Sequence, residues 1–364
     1  MRTHRKKFKN KFRKWYILPV LAGLTFILTE TGARNPHFIE IVYSRKIYPV
    51  IAQILSFVSD PVFFSLDDLF YLTLIFMLFI LIFLLILKRV SYLFAGKLLF
   101  NILAGVYISF YFLWGFNYFR EDLNTRLKLA VQTPETSDFI HQMEKLITAT
   151  NQSYCSFDGK NLKEIDSLVE ASYKKNASVL ALPYPSGKRK DKSITMSGFF
   201  AKAGISGYYG PFFNEVHVNK KVLPVEYPFV LAHEKAHQFG ITSEAEANFY
   251  GWLICTRSSS KHLQYSANLQ ILRFFLNEAY ELKEYQELTA KIDEDVKKDF
   301  NRIREHWKNL RNETVDKVAT KANDTYLKTN KIEKGIEDYT GVVKYIMDFS
   351  SDTLFHKTHH LNIN

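Results

Sequence analysis

VLAHEKAHQFGITSEAEANFYGW, residues 230–252, places His233, Glu234 and His237 in an HExxH pattern. Residues four apart share one face of an α-helix, so the two histidines can offer ring nitrogens to one ion. Zinc is the metal such a pair suits, at about 2.0–2.1 Å per nitrogen. Glu234 then stands beside the first ligand, placed to take a proton from a water on the metal. A catalytic zinc usually has three protein ligands and one open position. Gly240 permits a sharp turn after the histidine helix, and the chain returns with Ser243-Glu244-Ala245-Glu246. Ser243 to Glu246 fits a capping box, which would occupy Glu246 at a helix start. Glu244 is therefore favoured over Glu246 as third ligand. Asn248, one turn on, is placed to orient the ligand carboxylate from behind.

The flanking sequence predicts an α+β domain, helix-rich with a small sheet, over residues 121–312. Residues 133–154 and 161–180 have helical periodicity, the first with Ser137 as N-cap candidate. Residues 182–219 are rich in Gly, Pro and Ser and then alternate. FFNEVHVN, 212–219, is the clearest strand. On it His217 reads as a solvent-facing residue. EYPFVLAHEKAHQF, 226–239, reads as a helix stopped by Gly240, with further helices over 243–257 and from His262 to about 312. Residues 313–364 read as a charged tail. Its His356, His359 and His360 look like part of a flexible end rather than a second metal site.

The N-terminal third is different. MRTHRKKFKNKFRK, residues 1–14, holds eight Lys or Arg and no acid, which is most of the net charge of +11. A basic arm before an apolar run is a topology signal and argues against a nucleic-acid partner. Residues 69–87 contain no charge at all, which is about the length of a bilayer-crossing helix. Residues 15–30 and 98–119 give two further spans, with Tyr111, Trp114 and Tyr118 expected near the far lipid interface. Residues 37–58 mix charge with apolar residues and read as an interfacial helical segment. Lys88, Arg89 and Lys97 follow the second span, whereas residues 29–68 carry more acid than base. The positive-inside rule then puts the arm in the cytoplasm and everything after about residue 120 outside it, as in a multi-pass protein of a bacterial inner membrane. Cys155 and Cys255 are too few for a disulfide scaffold, and two free thiols are the simpler reading.

HEKAH followed by Glu244-x-x-Ala247-Asn248 is similar to the HExxH…ExxA(D/N) arrangement of gluzincin-type peptidases. Over roughly 15–275 the chain also resembles a bacterial domain-of-unknown-function family that joins N-terminal membrane helices to a zincin-like metallopeptidase domain. SRKIYPVIAQILS (44–56), WGFNYFRE (114–121) and GYYGPFFNEVHVN (207–219) with the HEKAHQFGITSEAEANF stretch carry that resemblance. It implies zinc held by His233, His237 and Glu244, with Glu234 as base. An oxyanion donor is expected beside the metal. Tyr265 is the candidate, with Tyr208 and Tyr209 as rivals. The expected activity is hydrolysis of a peptide or protein substrate by zinc-activated water, from a chain embedded in a lipid bilayer. The alternative is a non-catalytic zinc protein with a structural or sensing role. An intramembrane protease fits less well, because Glu226, Glu234 and Lys235 interrupt the apolar character of the motif helix.

Overall fold

The structure, a computed structural model, describes residues 14–352 apart from 132, 159–160, 185–186 and 188. Most of the basic arm and the three tail histidines lie outside the described residues.

Four helices open the chain. α1 is Ile17–Ala33, and Asn35 breaks the backbone before α2, Pro36–Ser59, which is bent 105° from it. Over Ile39–Ile47, α2 is wound as a wider π-helix. α3, Leu66–Ile86, starts at Ser65, whose hydroxyl accepts from the Asp68 N–H, with Asp67 and Asp68 in its first turn. The cap and the early acids satisfy a helix start that is buried, since Ser65, Asp67 and Asp68 are all enclosed. α4 is Tyr92–Leu113. α3 and α4 are long and apolar enough to cross a membrane, and the bent α1–α2 pair adds a third if counted as one span.

Two sequence boundaries shift. The span expected from 98 to 119 starts at Tyr92 and stops at Leu113, and a short 3-10 turn, Gly115–Phe119, follows. Tyr111, Trp114 and Tyr118 do not face a lipid interface. All three are buried, because each polar tip has a partner inside the protein. Tyr111 donates to Asn330 Oδ1 at 2.9 Å, Trp114 to the His237 carbonyl at 2.9 Å and Tyr118 to the Tyr326 hydroxyl at 3.0 Å. Similarly, α2 buries Tyr48, Ala52, Ser56 and Ser59 against the following domain, while Val50, Ile54 and Phe57 point outward. Such two-faced burial suits a helix lying between a polar body and an apolar medium.

The domain begins with α5, Leu123–Leu127, then α6, Thr136–Ser153, and α7, Leu162–Asn176. Glu135, not Ser137, caps α6, in a box with Asp138. β1, Asp191–Ser193, is followed by the short helix α8, Ser197–Lys202. β2 is Gly207–Gly210 and β3 is Glu215–Val218. The sheet order is β1-β3-β2, with β1 parallel and β2 antiparallel to β3. His217 lies in the middle strand, opposite both Lys192 and Tyr208. It is fully buried rather than solvent-facing, with Nε2 2.7 Å from Ser65 Oγ at the start of α3. Alternation failed there because both faces of this small sheet are covered.

α9, Tyr227–Gln238, packs on the sheet and is buried along its whole length. α10 is Glu244–Thr256 and α11 is Lys261–Glu278. α12, Tyr285–Ala290, and α13, Glu294–Leu310, follow. Residues 313–352 are not a trailing tail. α14, Glu313–Thr329, leads through a 3-10 turn, Gly335–Gly341, into α15, Val342–Ser351, whose Val342, Val343, Ile346 and Met347 enter the core. The sparse apolar residues of this segment were its buried stripe, and its charges its wet face.

The end of α9 is tied to the N-terminal region. Carbonyls in a helix's last turn lack intrahelical donors. Here Trp114 serves His237, the Tyr48 hydroxyl serves Gln238 at 2.7 Å, and Arg120 serves Gly240 at 2.9 Å. Gly240 has φ +80, and a Cβ on it would meet the Asn117 side chain at 3.0 Å. Arg120 also donates to both carboxylate oxygens of buried Glu40, at 2.8 and 3.0 Å. Arg120→Ala leaves that carboxylate with Arg45 alone, at 2.7 Å, and should cost about 3 kcal/mol, read by thermal unfolding in detergent, whereas Arg120→Met with Glu40→Leu should recover part of the loss.

Candidate metal centre

α9 sets His233 and His237 one turn apart, and each ring is fixed from behind. His233 Nδ1 lies 2.9 Å from Asn248 Oδ1, and His237 Nδ1 lies 2.7 Å from the Ile241 carbonyl. Both partners are acceptors, so each Nδ1 carries the hydrogen and each Nε2 presents a lone pair. The two Nε2 atoms are 3.2 Å apart. Glu244 Oε2 completes a triangle at 3.1 Å from His233 and 3.5 Å from His237. Ligands about 2.0–2.1 Å from a tetrahedral ion are separated by roughly 3.3 Å, so these three atoms fit such an ion. Glu244 Oε2 is buried and receives no hydrogen bond. Three potential ligand atoms thus converge on one point. His233, Glu234 and His237 also form a group able to hold a metal ion, with ligand atoms within 4.8 Å of one another.

The local electrostatics favour a positive charge at that point. Burial opposes ionisation of His237, but the Glu244 carboxylate outweighs it and lifts the group to about 9. Burial likewise opposes the Glu244 carboxylate, yet His237 and His233 hold it well below the usual range. Glu234 differs: burial raises its pKa, against the pull of His233 and His237.

Glu244 and Glu246 separate by environment. Glu244 starts α10, where Asp338 Oδ2 accepts from the Glu244 N–H at 2.8 Å, from Ser243 Oγ at 2.8 Å and from the Ala245 N–H at 3.3 Å. Only half of the expected capping box forms: Ser243 Oγ accepts from the Glu246 N–H at 3.3 Å. The Glu246 carboxylate turns away instead, accepting from the Leu123 N–H at 2.7 Å and from Arg126 at 2.6 Å. Asn248 supports His233, not the ligand carboxylate as the sequence suggested, and donates to the Tyr339 carbonyl at 3.2 Å.

A cavity of about 580 Å³ opens over His233, Glu234, His237 and Glu244. β2 forms part of its wall, and a Cβ on Gly207 would stand 2.7 Å from Glu234 Oε1, so glycine lets this strand approach the carboxylate. Tyr265 is not brought to the site. Its hydroxyl donates to Asp299 at 2.7 Å, its ring packs on Tyr154, and it does not line the cavity. The helix that carries it turns that face into the core. Tyr208 and Tyr209 do line the cavity, with hydroxyls bonded to Asp68 and to Asn214. Tyr339 lines it too, and burial followed by the charge of Glu244 pushes its hydroxyl well up. Neither Tyr339 nor Asp338 had a local signal, because both depend on a return of the chain about ninety residues later. Lys235 points to the opposite side of α9, where Nζ reaches Asp166 at 2.9 Å, Glu170 at 2.8 Å and the Arg189 carbonyl at 2.6 Å. Cys155 and Cys255 are not joined by a disulfide.

A helix-rich domain with a small mixed sheet, a His–Glu–His group able to hold a metal, and two or three apolar helices ahead of it define the class. Residues 43–347 match the family described as protein of unknown function (DUF3810), and the chain belongs to that family. The match takes in α3 and α4 as well as Asp338 and Tyr339, beyond the 15–275 range of the sequence resemblance. No curated protein and no solved structure matches the chain.

The two glutamates give opposite expectations. In chelator-competition titrations, Glu244→Ala should lose zinc. Glu246→Ala should keep it but unfold more easily by about 3–5 kcal/mol, because buried Arg126 loses its partner. Asn248→Ala should bind zinc about 10–100-fold more weakly.

Proposed function

We propose that this protein is a membrane-anchored, zinc-dependent peptidase whose cleft faces away from the cytoplasm in a bacterial cell envelope. One observation carries the reading: the Nε2, Nε2 and Oε2 triangle of His233, His237 and Glu244 opens onto a cleft beside a second carboxylate, Glu234. When bound, zinc supplies Lewis acidity and lowers the pKa of water at its open position.

The protein residues do the rest. Asn248 and the Ile241 carbonyl hold the two imidazoles in the tautomer that presents Nε2. Glu234 accepts the proton of the attacking water and returns it to the departing amine. Its raised pKa suits that exchange, since a general base works best near the ambient pH. Tyr339 and Tyr208 are the hydroxyls on the cavity wall closest in kind to an oxyanion donor. The topology rests on the positive-inside bias and the two or three apolar helices.

A purely structural zinc site would have no use for Glu234. The test is therefore zinc content and peptide hydrolysis of the purified full chain beside Glu234→Gln. The variant should retain zinc and lose at least about 100-fold in kcat, the lower range of a general base. Equal turnover by both proteins would sink the reading.

A further inference from the structure

At one end of the same cleft stand two cations without an ion-paired carboxylate among the described residues, Arg273 lying 5.9 Å over the Phe274 ring. Arg273, on α11, and Arg311, just after α13, both line the cavity. Among the described residues neither has a carboxylate within ion-pair distance, and neither donates a hydrogen bond to a protein group. Their placement is nonetheless defined. The Asn312 N–H donates to the Lys202 carbonyl at 2.9 Å, anchoring the residue after Arg311. A Cβ on Gly204 would stand 2.6 Å from Arg311 Nε, so glycine at φ +70 lets the guanidinium lie against the chain. Arg273 lies deep enough that burial, and then the charge of Arg311, press it below its ordinary pKa, while Glu226 pulls the other way. The Glu226 carboxylate is already bonded to Trp307 Nε1 at 3.0 Å.

Two guanidinium groups that repel each other in one cleft are a site for an anion. The other charged lining residues do not cancel them. Glu234 and Glu244 offset a metal dication, and Asp316 leaves one guanidinium in excess. The position along the cleft is also legible. Glu226, which senses Arg273, precedes His233 by seven residues, roughly 10 Å along the helix axis. Gly204, against Arg311, precedes Gly207 by three residues, at most about 10 Å of chain, and a Cβ on Gly207 would meet Glu234.

We infer that Arg273 and Arg311 form an anion-receiving subsite, so that the substrate carries a carboxylate or phosphate about two or three residues from the bond placed at the metal. An extended peptide advances about 3.3 Å per residue, which sets that spacing. The inference rests on the peptidase reading for its register, but the anion site can be tested without turnover.

The experiment uses the full chain in detergent, zinc-loaded, carrying Glu234→Gln so that nothing is cleaved. Fluorescent decapeptides are compared by anisotropy in pairs: Glu against Gln, phosphoserine against serine, and free against amidated C-terminus. At least one anionic member should bind about tenfold or more tightly than its neutral twin, a difference of about 1.4 kcal/mol. Arg273→Gln with Arg311→Gln should erase the difference, leaving zinc content and neutral-peptide affinity unchanged. The pair that discriminates identifies the source of the anion. Equal binding of all twins, or a preference that survives the double substitution, overturns the inference. With Glu234 restored, the same peptides test hydrolysis. Anion-selective binding without cleavage would defeat the peptidase reading and leave the subsite standing.

Discussion

The structure depends on how the last turn of α9 is terminated. A buried helix that ends in the protein interior leaves carbonyls that must find donors, at a penalty of about 1–3 kcal/mol for each one missed. Water cannot supply them here, since every residue of α9 is buried. Beyond the backbone N–H groups of Phe239, Gly240 and Ile241, which serve Lys235, Ala236 and His237, the donors are the indole of Trp114, the hydroxyl of Tyr48 and the guanidinium of Arg120, all from the N-terminal region. The helix that bears both histidines is thus finished by the segment that precedes the domain. The three stretches that carry the sequence resemblance are the three sides of this junction, which is a physical reason for them to occur together.

The far face of the same helix is fixed by charge. Lys235 is fully buried on the side of α9 away from the histidine rings and reaches Asp166, Glu170 and the Arg189 carbonyl. A buried ammonium is tolerated only with such complete pairing. Pinned by Lys235 on one side and capped at its end, α9 has little freedom to rotate, and the Nε2 atoms inherit that rigidity. The start of α3 adds a second junction, where the Glu215 carboxylate accepts from the Asp67 N–H at 3.0 Å and from Ser65 Oγ at 3.1 Å.

Much of this was legible because it is local. HExxH spacing, Gly240, the Ser243 cap and the uncharged run of 69–87 each act within one or two turns, so a single sequence exposes them. The Glu244 carboxylate, favoured over Glu246 from the sequence, is the one that lies beside the two histidines, but not because of the capping box. The capping box was to occupy Glu246, and in fact Arg126, over a hundred residues earlier, claims its carboxylate. The misses share a cause. His217 looked exposed because a period-2 pattern cannot show that a sheet is covered on both faces. Tyr265 looked available because helix membership does not say which face turns inward. Residues 313–351 looked like a tail because their apolar stripe is thin and their partner, α10, lies far away in sequence.

Asp338 gives the molecule an order in time. Chains are made from the N-terminus, and their early parts fold first. Both histidines and Glu244 emerge well before Asp338, which bonds the first turn of α10 and thereby seats the glutamate. A nascent chain stopped before residue 338 would hold all three ligands and still lack the residue that aligns them. Alignment of the candidate site therefore waits on a residue made about ninety positions after Glu244.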